Sequence, residues 1–355
     1  MNNNIEIINY KKRNEKNFSK YNPNIKYIEY SKDLIKDSYV DYNLDNTFCI
    51  FKSINNILYL IYSNEKNSII SYNLVDDKKI NEINNAHQTY ITNFRYYYDE
   101  SNKRDIILSI SCENNNIKIW NINNWTCITN IEYVNDRGYL FSACLLKDNK
   151  NKIYLITSNA IENSEPLKIF DLKGNKIKEV FNSNDITYFI DIYYEYDDEK
   201  ELNDIYIITA NLGYIKTYNF CKNELYHKYC DNDNRGHCSI LIYIDNFEIV
   251  KLIDSGHDGN IRIWNFHTGL LVNKIFINNS ALYGITLWND EYLFIGARDK
   301  SIKILELKSG SIIKDLKGHN NRVLTVKKIF HPYYGECLIS QGFENEEIKL
   351  WSISI

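Results

Sequence analysis

Apolar and polar residues alternate along this chain in short runs, and one run recurs seven times: a small or polar turn, a strand of the Ile-Lys-Ile kind, then an aromatic or large apolar residue followed by a polar one. The copies are Ile69-Ile70-Ser71-Tyr72, Ile117-Lys118-Ile119-Trp120, Leu167-Lys168-Ile169-Phe170, Ile215-Lys216-Thr217-Tyr218, Ile261-Arg262-Ile263-Trp264, Ile302-Lys303-Ile304-Leu305 and Ile348-Lys349-Leu350-Trp351. Successive ends lie between 41 residues (Trp264 to Leu305) and 50 residues (Trp120 to Phe170) apart. Alternation of period two marks a strand with unlike faces, and no long window carries the 3.6-residue period of a helix. The isoleucines are expected to pack on a neighbouring unit, leaving the lysine side wet.

Each period holds three more strand-like runs. After Trp120 these are Thr126 to Val134, Tyr139 to Leu146 and Lys152 to Ser158, separated by Asn, Asp and Gly turns. Four strands per repeat, seven times over, predict an all-β fold: a seven-bladed β-propeller with four antiparallel strands per blade. The last repeat ends at Trp351, so its outer strand must come from elsewhere. The alternating run Ile25-Lys26-Tyr27-Ile28-Glu29-Tyr30 is placed to supply it and close the ring, with blade one following from Thr47. The expected organisation is a polar tail over residues 1–23 and one propeller domain over 24–355.

Composition agrees with strands. The 355 residues include 30 Tyr and 15 Phe against 13 Gly, 3 Pro and 1 Met, and aromatic side chains suit a pleated, half-buried surface. Asn is expected to stand in for Gly in tight turns, because it tolerates the left-handed backbone region. Net charge is −4, so no global basic field is available to hold a nucleic acid, and that class of partner is disfavoured. The eight cysteines show no Cys-x-x-Cys pair and no metal-site spacing, which reads as buried, reduced thiols. No stretch reaches the ~18 apolar residues of a membrane span, and residues 1–20 lack the apolar core of a signal peptide. The expected setting is the cytoplasm or the nucleus, without membrane contact.

The repeats resemble those of the WD-repeat family from about Asn24 onward. Gly318-His319, Gly236-His237 and Ala86-His87 match the Gly-His ahead of a blade's first strand, Asp258 and Asp299 match the turn Asp, and Trp120, Trp264 and Trp351 match the Trp. No literal Trp-Asp dipeptide occurs, and Phe170-Asp171 comes closest. Kelch propellers have a similar period but a paired-glycine pattern, and this chain has no Gly-Gly. The resemblance implies that His87, His237, His319, Asp258, Asp299, Trp120, Trp264 and Trp351 are structural, joined with a strand hydroxyl in buried hydrogen-bonded networks. Blades one, four and six, ending Tyr72-Asn73, Tyr218-Asn219 and Leu305-Glu306, must pack without the full network.

Catalytic signatures are missing: no Gly-x-Ser-x-Gly elbow, no phosphate-binding glycine loop, no His-Glu-x-x-His. The acidic run Asp197-Asp198-Glu199-Lys200-Glu201 reads as a solvated hairpin loop between the first two strands of blade four. Basic residues Lys11-Lys12-Arg13 read as part of a polar tail. No catalytic residue, metal or cofactor is expected.

What the resemblance does imply is a binding face, because in such propellers partners often dock on the rim of the central channel. Carried over blade by blade, the starts of the inner strands place Phe48, Tyr90 with Thr92, Tyr139 with Phe141, Tyr188, Leu241, Tyr283, and Arg322 with Leu324 on that rim. The residues ahead of the turn Asp place Glu65, Glu113, Asn211, His257, Arg298 and Glu344 there. Aromatic residues supply much of the energy of protein interfaces, so the expected function is a non-catalytic interaction scaffold or complex subunit. Its partner is a protein or peptide segment, whose Lys or Arg sits near Glu344, Glu65 and Glu113. Two alternatives stand beside it: several aromatics pack into blade interfaces instead, since a one-residue slip inverts facing, or the channel houses an enzymatic or small-molecule site.

Overall fold

The structure, a computed structural model, describes residues 28–40, 45–132, 139–158, 166–180, 183, 185–196, 201–231, 236–344 and 347–353. The first strand, β1 (Ile28–Ile35), belongs to the last blade. Blade one follows as β2 (Cys49–Lys52), β3 (Leu58–Ser63), β4 (Ile69–Asn73) and β5 (Lys78–Ile83). Blade two is β6 (Ile91–Asp99), β7 (Arg104–Ser111), β8 (Asn116–Asn121) and β9 (Thr126–Ile131). Blade three is β10 (Ala143–Lys147), β11 (Ile153–Thr157), β12 (Lys168–Asp171) and β13 (Lys176–Glu179). Blade four is β14 (Thr187–Tyr196), β15 (Leu202–Asn211), β16 (Ile215–Asn219) and β17 (Glu224–Tyr229).

Blade five is β18 (His237–Ile244), β19 (Val250–Gly256), β20 (Asn260–Asn265) and β21 (Leu271–Phe276), and blade six is β22 (Leu282–Leu287), β23 (Tyr292–Ala297), β24 (Ser301–Glu306) and β25 (Ser311–Lys317). β26 (Val323–His331), β27 (Gly335–Gly342) and β28 (Ile348–Ile353) complete blade seven with β1, in the order β1-β28-β27-β26. All seven sheets are four-stranded and antiparallel. The fold is a seven-bladed β-propeller, and each recurring run of the sequence falls on the third strand of its blade. Inner strands touch around the ring, β2 on β6, β6 on β10, β10 on β14, β14 on β18, β18 on β22 and β22 on β26.

The ring is closed, as expected, by an N-terminal strand in the last blade, and the described strand runs on past Tyr30 to Ile35. The closing strand begins at Ile28, pairs Ile28 with Ile353 and Ile35 with Ile348, and carries two bulges; Ile25, Lys26 and Tyr27 lie outside the described residues, as does the expected 1–23 tail. What fixes the pairing is burial of Ile28 and Ile35 at its two ends and the 2.8 Å ion pair of Lys349 with Asp33. A strand slipped by one residue would turn both isoleucines outward.

The lysine side of the third strands is not wet. Lys168, Arg262, Lys303 and Lys349 are buried, because a third strand is interior to its sheet and neighbouring blades cover both faces. Their stems pack while the cation finds a partner at the blade margin: Lys216 reaches Asp185 at 2.5 Å, Arg262 reaches Asp231 at 2.6 Å and Lys303 reaches Asp299 at 2.8 Å. Core clusters form between blades, as where Phe48, Ile50 and Leu60 of blade one meet Ile339 and Leu350 of blade seven. Each fully buried aliphatic side chain contributes about 1.5–3 kcal/mol. Asn takes the turn positions as expected, with Asn56 at φ 62° and Asn67 at φ 56°. Five cysteines are buried, but Cys127, Cys221 and Cys230 are exposed.

Candidate functional site

Inner strands start where the chain arrives from the preceding blade, which defines a top face. That face also carries the turns between second and third strands. The buried networks lie just beneath it. In blade two, Ser109 Oγ meets His87 Nε2 at 2.7 Å and accepts the Trp120 indole N–H at 2.8 Å. In blade seven, Ser340 Oγ meets His319 Nε2 and accepts from Trp351 Nε1, both at 2.7 Å. Burial, then the charge of Lys118, pushes the His87 imidazole down to about 3, so it is neutral at ordinary pH.

Blade five is built differently. The residue equivalent in register to Ser109 and Ser340 is Asp254, whose carboxylate meets His237 Nδ1 at 2.6 Å and accepts from Trp264 Nε1 at 2.6 Å. Arg262 stands 3.7 Å from it and bonds Asp231 and Asp258 as well. Asp258 therefore turns to Arg262 instead of to His237, and Asp299 turns to Lys303 and Ser301. Reading the sequence missed Asp254, Ser109 and Ser340; the one available signal was their position opposite the cation that lies two residues before each Trp.

The expected rim divides into a covered part and an open part. Covering comes from the connection between β1 and β2. The Tyr39 amide donates to Ser63 O at 3.0 Å and its ring lies 4.7 Å from that of Tyr90. Val40 pairs with Glu344 and is fully buried in a cluster with Cys238, Ala281, Tyr283, Leu324 and Phe343, from blades five, six and seven. Further along, Asp45 accepts from Ser239 Oγ across the channel at 2.7 Å, and Lys327 donates to Asn46 Oδ1 at 2.7 Å. Gly284 is small for this reason, since a Cβ there would stand 2.6 Å from Leu324 O and 2.8 Å from Asp45 Oδ1. Two expectations are corrected here: Phe48 is wholly buried between blades one and seven, and Tyr283 is 3% exposed, so neither presents a surface. Thr92, Asn211 and Leu324 are buried too. Arg322 is half-buried, with its guanidinium 3.6 Å from the centre of the Phe343 ring.

The open part lies over blades three and four. Tyr139, 48% exposed, Phe141 and Tyr188 form a row of near-parallel rings, with centroids 6.3 and 5.5 Å apart and 15° between planes in both steps. Tyr188 rests on Gly236, where a Cβ would meet its ring at 3.3 Å. Glu65, Glu113 and Glu344 are exposed on the contiguous blades one, two and seven, opposite exposed His257 and Arg298 on five and six. Among the described residues, no group of three or more His, Cys, Asp or Glu could hold a metal, and no helix is long and apolar enough to cross a membrane.

Beneath the Asp45 connection the inner strands enclose a cavity of about 310 Å³. Apart from Asp45 its lining comes from the inner strands of all seven blades, including Arg95, Tyr97, Leu145, Phe189, Asp191, Tyr193, Ile242 and Lys327.

No family model matches the chain. Among characterised proteins it is similar to autophagy-related protein 16 of Arabidopsis thaliana, 22% identical over 246 residues, which is 67% of this chain and 43% of that protein. It is also similar to the WD repeat domain-containing protein 83 homolog of Dictyostelium discoideum, 24% identical over 104 residues, 29% of this chain and 31% of that one. The chain thus spans less than half the length of either relative. Among solved structures, the computationally designed Ika8 protein superposes with a TM-score of 0.59 at 14% identity, over 91% of this chain and all of that one, a likeness of fold alone.

Proposed function

We propose that this chain, a seven-bladed propeller of divergent WD repeats, is a non-catalytic interaction platform that binds a protein segment on its top face. The observation that carries the reading is the row Tyr139, Phe141 and Tyr188: three rings held nearly parallel, the first half in solvent. Rigid aromatic rings give large contact area at little cost in conformational entropy, which is why they anchor interfaces. The acids Glu65, Glu113 and Glu344 give the face a negative sector that favours a segment carrying Lys or Arg and speeds its approach. Similarity to proteins named for WD repeats supports an interaction role for the whole molecule.

Affinity capture from the protein's own cells, comparing the wild type with Tyr139→Ala/Tyr188→Ala, tests it. A stoichiometric partner lost in the variant, with circular dichroism unchanged, is the expected result. Full retention of every partner overturns the top-face reading. Glu65→Lys/Glu113→Lys should then slow association of the recovered partner about tenfold at low salt and less at high salt.

A further inference from the structure

The channel cavity holds a second surface that the interaction role does not use. Its walls are mainly apolar and aromatic, its volume of about 310 Å³ is at the small end of ligand sites, and its charged groups are unequally engaged. Asp45 is committed to Ser239 and the Asn46 amide, Lys328 to Glu336 and the Trp288 carbonyl, and Lys327 to Asn46 Oδ1. Arg95 and Asp191 remain. The Arg95 guanidinium crosses from blade two over the Phe189 ring, 4.8 Å from its centre, and donates from Nη2 to Ile190 O at 2.8 Å. Its Nη1 stands 3.9 Å from Asp191 Oδ1, beyond hydrogen-bond length, and makes no hydrogen bond among the described residues. The Asp191 side chain keeps 38% of its surface exposed, and among the described residues its one hydrogen bond is from the Ile192 amide to Oδ1.

A cation and a carboxylate held side by side in an aromatic-walled cavity, close but not bonded, match a ligand with the opposite charges on neighbouring atoms. We infer that the cavity binds a free α-amino acid with a large apolar side chain, its carboxylate on Arg95 and its ammonium on Asp191. Each contact is a charge-assisted hydrogen bond, the stronger kind. A zwitterion leaves the balanced pair balanced, whereas a ligand with a single charge would pair one of the two groups and leave the other without its counterpart. Leu145, Phe189 and Tyr193 would take the side chain.

Isothermal titration of the full chain with L-phenylalanine and L-leucine, against 3-phenylpropionate and 2-phenylethylamine, tests the inference. One of the amino acids should bind, and each phenyl analogue lacking one charge should bind at least tenfold more weakly than L-phenylalanine. Asp191→Asn should weaken amino-acid binding at least tenfold with an unchanged melting temperature, and Leu145→Trp, which fills the cavity, should abolish it. Arg95 also braces blade four, so Asp191→Asn is the cleaner variant. Failure of both amino acids to bind at millimolar concentration, equal binding of a single-charge analogue, or an indifferent Asp191→Asn would each overturn it. None of these outcomes bears on the top face, whose test uses Tyr139 and Tyr188.

Discussion

Blade five and blade seven tie a His and a Trp to the same strand position by different chemistry. In blade seven the shared acceptor is a neutral hydroxyl, Ser340. In blade five it is the carboxylate of Asp254, which draws in Arg262, and through Arg262 both Asp231 and Asp258. A hydroxyl network can lose a member and leave one or two unsatisfied groups. Losing a member of an ionic network strands a charge in the interior, which costs several times more. The same position in the fold therefore carries unequal stability in these two blades, and blade five is the more sensitive of them to single changes.

Asp254→Ala should show this most strongly. It takes a charged acceptor away from two buried donors, the His237 ring and the Trp264 indole, while Arg262 keeps Asp231 and Asp258; hydrogen bonds to a charged group are the stronger kind, so a loss of about 3–5 kcal/mol is expected, measured by denaturant unfolding. A smaller loss than that of Ser340→Ala would refute the comparison. Ser340→Ala itself should cost about 1–3 kcal/mol, and Ser109→Ala a similar amount by the same measurement. The smallest effect is in pH. His87 is neutral in the fold down to about pH 3, against an ordinary value of 6.5, so its stability contribution is complete above pH 6.5 and is lost as pH falls from there toward 3. Between pH 7 and pH 5.5 the loss should be about 1 kcal/mol, and His87→Gln should remove that part of the slope. In blade five, burial pushes the Asp231 carboxyl up, but Lys274 and Arg262 hold it below its ordinary value. That contribution is present at neutral pH and fails only in stronger acid.

The seven third strands were legible because alternation and a terminal aromatic or large apolar residue are local features, set by a strand buried on both faces. Ala86-His87 and Trp120 were legible as a pair for the same reason. Asp254 was not, since an Asp next to Ser255 carries no local mark of standing opposite Arg262. The rim was half legible: Tyr139, Phe141 and Tyr188 reach solvent, but Phe48 and Tyr283 do not. The loss of Tyr283 has a plain cause, Val40, which comes from 243 residues earlier in the chain and packs into the same cluster. The pairing of Arg95 with Asp191, from blades two and four, is likewise a product of ring closure that no spacing reveals.

Closure also orders events during synthesis. β1 pairs with β28, which begins 320 residues after it (348 − 28). At about 5–20 residues per second it must wait roughly a quarter-minute to a minute for that partner. Until then blade seven lacks its outer strand, and the connection that seats Val40 and Asp45 has no finished ring to rest on. Until β28 is made, the growing chain presents unpaired strand edges, and its exposure to aggregation ends when that strand closes the ring.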